Sequence, residues 1–253
     1  MLIQKECCLL NGTYHDLLAK LGAGSAHPGG FEISMDLVSE LNMDENTKVL
    51  DIGCGTGRTA CYISKKYGCQ VTGLDRHPLM IEKANRRAQR NNCTAGFIQG
   101  DALSMPFQDN DFDVVLAESL AVFLPIKPLL SECRRILKPE GLMVNLEFCS
   151  HLDTPHEVLE AAADLYGVKQ FPTCDEWRDY YRSCRFRDIQ LWNPREADSQ
   201  LFIENELKYR DEDQMISEGI FHDQKFVNKI IHNMEFMEQY DKHLGFTGII
   251  AKK

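Results

Sequence analysis

Three acids stand where short apolar runs end: Asp51 after Val49 and Leu50, Asp75 after Leu74, and Asp101 after Phe97 to Gly100. Between the first two lie Gly53, Gly55 and Gly57, spaced G-x-G-x-G, with Arg58 where a dinucleotide-binding fingerprint has its third glycine. A glycine turn between a parallel strand and a helix presents unpaired backbone N–H groups and lets a ligand approach the backbone closely. Asp51, two residues before the first glycine, places negative charge where a pyrophosphate would be repelled and a cationic ligand attracted. Asp75 can accept hydrogen bonds from both vicinal hydroxyls of a ribose. A fourth acid, Glu118, closes the apolar run Val114 to Ala117.

The elements that position these residues follow from an alternation of β-branched runs and helical spacing that begins near residue 48. Strands are predicted over 48–55, 70–77, 95–102, 113–120 and 142–148. A helix from the glycine turn to Gly68 and a second opened by Pro78 separate the first three. The run at 113–120 is too continuously apolar to be half-exposed, which makes it central. Leu129 to Leu137 reads as helical and Lys138-Pro139-Glu140-Gly141 as a turn. Beyond residue 149 the alternation loosens into a cap. Helices are predicted after Pro155 and after Thr173, a strand over 185–193, a long helical stretch from about Asp213 to His243, and a seventh strand from Leu244.

The strings VLDIGCGTG, VTGLDRHP, GDALSMPF and ILKPEGLMVNLEF resemble, in order and spacing, the four successive motifs of class I S-adenosylmethionine-dependent methyltransferases. The resemblance covers about residues 45–150 and the final strand, and is narrower still to the small-molecule branch related to ubiquinone/menaquinone-biosynthesis methyltransferases. It implies an α/β fold: a Rossmann-like sheet of seven strands, the last antiparallel between the fifth and sixth, with helices on both faces and a helical cap. One methyltransferase domain would span 1–253, with an N-terminal helical cap segment at 1–45, the cofactor core at 46–150, and cap insertions plus the last two strands at 151–253. It further implies S-adenosyl-L-methionine as cofactor, with S-adenosyl-L-homocysteine as product. Gly53, Cys54 and Gly55, with Gly57 completing the turn, would lie against the methionine part, and Asp51 would hold its ammonium. Asp75 would take the ribose hydroxyls, Arg76 would lie beside the adenine, and Asp101 and Ala102 would read its edge. Glu118 would face the place where cofactor and acceptor meet.

A sulfonium methyl is already activated, so the protein needs mainly to align a nucleophile and exclude water; an ammonium or hydroxyl acceptor must also lose a proton. Candidates for the base are Glu118, whose competing reading is a structural carboxylate capping the next turn, and His27, whose competing reading is an exposed loop histidine. In Ser25-Ala26-His27-Pro28-Gly29-Gly30-Phe31, Gly29 and Gly30 could set backbone against the methionine carboxylate. Tyr14, Glu147 and His151 are weaker candidates. The stripe Trp177, Tyr180, Tyr181, Cys184 has helical spacing and reads first as core packing, with a cation cage as its rival.

With 28 Lys+Arg against 38 Asp+Glu in 253 residues, the formal net charge is -10. The stretch 152–213 alone carries 15 acids against 8 bases, so the cap would favour a cationic acceptor over a phosphorylated one. The same charge argues against nucleic acid as a partner; the basic helix face Lys83, Arg86, Arg87, Arg90 reads as solvated. No apolar run approaches a membrane span, and the first residues do not read as a secretion signal, so a cytoplasmic enzyme, monomer or homodimer, is expected. The ten cysteines include no C-x-x-C, which points to reduced thiols and no metal site. The rival readings are a nicotinamide-dependent oxidoreductase, a cofactor-binding protein without turnover, and a methyltransferase acting on protein or RNA.

Overall fold

The computed structural model describes residues 13–253. Seven strands form one sheet in the order β3-β2-β1-β4-β5-β7-β6. They are β1 (Lys48–Ile52), β2 (Gln70–Asp75), β3 (Gly96–Gln99), β4 (Phe112–Glu118), β5 (Leu137–Ser150), β6 (Arg187–Glu196) and β7 (Leu244–Lys252). The first five pair in parallel, and β7 runs antiparallel to both β5 and β6. This is the Rossmann-like class I methyltransferase sheet that the motifs imply, with β4 central and buried from Val114 to Ala117. The chain order reverses between β1 and β4, so the crevice at their carboxyl ends is the topological switch point where ligands bind in such sheets.

Helices cover both faces. On one side lie α2 (Gly30–Ser39), α3 (Arg58–Tyr67) and α4 (Pro78–Arg90), whose Leu37, Ile63 and Ala84 pack on Val49, Val71 and Leu116. On the other, α5 (Ile126–Ile136) and α7 (Cys174–Ser183) cover Leu50, Val115 and Met143. Trp177 and Tyr181 of α7 are fully buried there, which makes the aromatic stripe core packing and removes the cation-cage alternative. α1 (Tyr14–Leu21), α6 (His156–Tyr166), α8 (Ser199–Lys208) and α9 (Gln224–Tyr240) form the cap. Local signals fix the ends: Thr13 and Asp16 make a reciprocal capping box on α1, Pro78 opens α4, and α3 stops at Gly68 in the left-handed region.

The C-terminal part departs from the sequence expectation. Ser199–Lys208 forms a helix that the apolar spacing does not announce, and the stretch from Asp213 is α-helical only from Gln224, after a single 3-10 turn at Ile220–His222. Asp198 caps α8 by accepting from the Leu201 N–H, and Asp223 caps α9 at the Lys225 N–H. Between them tertiary contacts override helix propensity: Asp211 is claimed by Arg87, Asp213 by Asn91, and the Ser217 N–H by the Lys20 carbonyl. The basic face of α4 is solvated only in part: Arg86 and Arg90 are exposed, but Lys83 and Arg87 are 4% and 3% exposed.

Eight cysteines are free thiols, five of them buried; Cys7 and Cys8 lie outside the described residues. Among the described residues no helix is long and apolar enough to cross a membrane.

Candidate active site

The glycine turn leaves β1 at Ile52 and enters α3 at Arg58. Gly57 sits at φ +75°, and a Cβ there would approach the Phe97 ring to 2.5 Å, so the turn closes against β3 only with glycine. At Gly55, with φ +52°, a Cβ would meet nothing closer than 4.0 Å, so this residue leaves an open cradle at the switch point. The turn's N–H groups are not unpaired as expected. Those of Gly53 and Cys54 both donate to the Leu74 carbonyl, at 2.7 and 3.1 Å, and that of Gly55 donates to Asp75 Oδ2 at 3.0 Å. The turn therefore offers a ligand its open backbone surface and the neighbouring carboxylates rather than an anion nest.

Those carboxylates converge. Asp51 is 2% exposed with Oδ2 unpartnered, and its carboxyl is pushed well above the usual range by burial and then by the charges of Glu118 and Asp75. Burial also pushes the Asp75 carboxyl up, against the donation of the His77 and Gly55 N–H groups. Each Asp75 oxygen takes one of these bonds, from His77 at 2.8 Å and Gly55 at 3.0 Å, leaving a further lone pair on each for a hydroxyl. Asp101 is exposed beyond β3, its Oδ1 accepting from the Leu103 N–H at 2.9 Å; Ala102 is buried under it, and Arg76 is exposed beside Asp75. A buried carboxyl without a partner is costly unless a donor or cation meets it. The orphaned Asp51 oxygen, the open Gly55 cradle and the free lone pairs of Asp75 fit an ammonium and a ribose on one ligand.

Glu118 ends β4 on the same face of the sheet as Asp51. Its Oε2 accepts from the Thr59 hydroxyl at 2.7 Å, while Oε1 is buried and unpartnered, 3.9 Å from His27 Nε2. His27 is 6% exposed, not the solvent-facing histidine of the competing reading. Its Nε2 lies 2.9 Å from Ser34 Oγ and its Nδ1 3.3 Å from the Pro28 carbonyl. With Nδ1–H donating to Pro28, Nε2 accepts from the Ser34 hydroxyl; this tautomer is inferred from the partners. Thr59 and Ser34, the helix residues that orient the pair, belong to no motif and carry no sequence signal.

Gly29 and Gly30 have as nearest neighbours Ile33, Phe246 and Glu206, and the Gly29 carbonyl accepts from Asn205 of α8, so they shape the turn that carries His27. Glu147 is corrected from base candidate to structural group. It faces α7 on the opposite side of the sheet from Glu118, where Oε1 accepts from the Leu120 and Ala121 N–H groups at 3.1 and 2.8 Å. It thus pins the turn that follows Glu118. His151 follows β5 at the carboxyl edge of the sheet and packs against Gly245. Tyr14 is brought over the strand ends by α1, its ring edge-on to Tyr166 at 4.8 Å and its hydroxyl pushed up to about 12 by burial. Its neighbour His15, which no sequence pattern singles out, lies edge-on to Phe123 at 4.6 Å. Burial, then the charges of Arg76 and His77, lowers the His15 imidazole to about 4.

Burial holds the Glu147 carboxyl up at about 8 against its backbone donors. A carboxyl raised on folding leaves stability intact below the unfolded value near 4.5, and stability is lost as pH rises toward 8. Glu147→Gln keeps the acceptor oxygen and cannot ionise. Thermal melts at pH 5 and pH 8 should show the wild type losing at least about 3 °C more than the variant over that interval; equal losses would count against a protonated Glu147.

The site geometry agrees with what the chain resembles. Residues 49–141 match the methyltransferase domain family. An uncharacterized methyltransferase of Bacillus subtilis, YodH, is 27% identical over 240 residues, covering 95% of this chain and 99% of that protein. A phosphoethanolamine N-methyltransferase of Plasmodium falciparum is 30% identical over 232 residues, covering 87% of this chain and 85% of that one. In fold, a Haemonchus contortus phosphoethanolamine N-methyltransferase 2 in complex with S-adenosyl-L-methionine superposes with a TM-score of 0.75 at 20% identity. That match covers 94% of this chain but 56% of the other. A carboxylate-lined glycine turn at the switch point, four motifs in order and relatives along nearly the whole chain lead to one assignment: the chain belongs to the class I S-adenosylmethionine-dependent methyltransferases.

Proposed function

We propose that the chain methylates a small amine, with Glu118 and His27 as the pair that holds the acceptor and relieves it of its proton. The observation that carries this is Glu118 Oε1, buried, unpartnered and 3.9 Å from His27 Nε2 at the carboxyl end of β4. S-adenosylmethionine, when bound, supplies an electrophilic methyl group on a sulfonium. Asp51 holds the methionine ammonium, Asp75 the ribose hydroxyls, and Asp101 with Ala102 the adenine edge. An acceptor N–H donates to Glu118 Oε1, the one oxygen of that carboxylate not committed to Thr59. The proton passes to Oε1 as the nitrogen is methylated, and His27 Nε2 takes it on as the Ser34 hydroxyl turns from donor to acceptor. α1, with Tyr14 and His15, covers the strand ends and excludes water.

The amine is favoured over a hydroxyl or carbon acceptor by the uncommitted, buried Oε1 of Glu118 and by the N-methyltransferases among the relatives. The acid-rich stretch 152–213 favours an acceptor without a phosphate, unlike the phosphorylated amine in the relative's name. The test is S-adenosylhomocysteine formation over a panel that pairs each amine with its phosphorylated form, ethanolamine and phosphoethanolamine first. Turnover confined to oxygen, carbon, protein or RNA acceptors would overturn the reading, as would tight cofactor binding with no turnover in a whole-metabolite extract.

Asp51 makes a further expectation testable without an acceptor. Burial raises the Asp51 carboxyl in the free enzyme, whereas an ammonium partner favours its ionised form and draws it down, so cofactor binding should release protons where the pH lies between the two. The sign is that affinity rises with pH up to the raised value, by as much as about tenfold per pH unit. Titration calorimetry in buffers of different ionisation enthalpy should report the release, and Asp51→Asn should abolish it.

A further inference from the structure

The cations of α3 and α4 that the glycine turn does not need for a phosphate are turned inward onto a different target. Arg87 donates from Nε to the Thr56 carbonyl at 2.9 Å, in the middle of the glycine turn, and forks onto Asp211 at 2.7 and 2.6 Å. Both side chains of this pair are buried, at 4% and 7% exposure. Arg58 reaches Ser25 Oγ at 2.9 Å and the Tyr209 carbonyl. Lys83 donates to the Ala19 and Lys20 carbonyls at 2.6 and 3.1 Å and to Ser217 Oγ at 3.1 Å. The segment between α8 and α9 adds its own bonds to the same stretch, from Ser217 N–H to the Lys20 carbonyl and from Gln214 to the Leu21 carbonyl. The fit is close: a Cβ on Gly24 would stand 2.7 Å from Asp211 Oδ2, and one on Gly22 2.4 Å from the Met215 carbonyl.

From this geometry we infer that residues 209–217 are a clasp that fastens the N-terminal segment 19–27 over the cofactor turn, with Asp211 as its positioning residue. Asp211 works at one remove from the ligand. It acts through Arg87 on Thr56, and through its packing on Gly24 on the stretch that ends at His27. The clasp joins three parts of the chain far apart in sequence, so releasing it frees the segment covering the site while leaving Asp51, Asp75 and Glu118 in their strands. Asp211 therefore governs how long S-adenosylmethionine stays bound.

The test uses the full chain and needs no acceptor. Asp211→Asn should raise the S-adenosylmethionine dissociation rate and Kd by about tenfold or more, the scale of one well-formed charged pair. Hydrogen exchange of residues 19–27 should quicken while that of β1 and β4 stays as in the wild type. Asp211→Glu, which keeps the charge, should restore most of the affinity, and Glu82→Gln, on the exposed Glu82–Arg86 pair of the same helix, should change nothing. A folded Asp211→Asn protein with wild-type dissociation rate overturns the inference, as does exchange that quickens evenly across the sheet. If Asp211→Asn does not fold, the variant Gln214→Ala removes only the side-chain bond to the Leu21 carbonyl of the N-terminal segment. It must then speed both dissociation and exchange at 19–27 by about threefold or more, and unchanged values overturn the clasp.

Discussion

Glu118→Gln should lower acceptor-dependent S-adenosylhomocysteine formation by about 10²–10⁴-fold, the range for loss of a positioned base. The glutamine keeps the 2.7 Å bond from the Thr59 hydroxyl and the packing at the end of β4, so the fold and cofactor site persist. Cofactor Kd should then stay within about tenfold of the wild type, and the loss should fall on kcat. His27→Gln should cost less, because it removes the second proton carrier and leaves the first. The double variant should be little worse than Glu118→Gln, since groups acting as one unit are not additive. A Glu118→Gln enzyme with wild-type kcat would reduce Glu118 to a cap on the turn after β4.

Asp75→Ala should raise the Kd for S-adenosylmethionine by about 100-fold, from the loss of two hydroxyl acceptors of about 1–2 kcal/mol each. The structure adds a second loss, because the same carboxylate ties the Gly55 and His77 N–H groups at 3.0 and 2.8 Å. Asp75→Asn separates the two effects. Its remaining oxygen can hold one of these N–H groups but presents donors where hydroxyls need acceptors, so its Kd should fall between wild type and Asp75→Ala. Titration with both S-adenosylmethionine and S-adenosylhomocysteine should give parallel losses, since both carry the ribose. Unchanged affinity in Asp75→Ala would remove Asp75 from the site.

The site is legible where its parts lie close in sequence. Asp51, the three glycines, Asp75 and Glu118 sit on or next to β1, β2 and β4, and β-branched apolar runs with glycine and proline punctuation place those strands within a few residues. What cannot be read is what depends on partners far along the chain. Arg87 and Lys83 have the spacing of a solvated helix face, and only Asp211 and the carbonyls of Ala19 and Lys20, brought in by tertiary packing, make them buried. The stretch after Tyr209 has helix-compatible composition, but its acids and N–H groups are committed elsewhere. Glu147 shares a strand with the site, and only the register against Glu118, one residue out of step, turns it to the other face. His27 carries a chemistry-capable type without a pattern, and its burial beside Glu118 comes from α2 packing over β1 and β4.

β7 is the last strand in the chain and yet an interior strand of the sheet. Residues 244–252 lie between β5 and β6, paired to both along most of their length. Without residues 244–252 the other six strands cannot assemble as one sheet: β5 ends in a bare edge, and β6 has no neighbour to pair with. The nascent sheet waits with an apolar edge exposed until the seventh strand emerges and slots in from both sides, the kind of long-range pairing that is slow and prone to association. A released chain truncated just short of residue 244 should bind chaperones and be cut by protease within β6, and the chain that includes residues 244–252 should do neither.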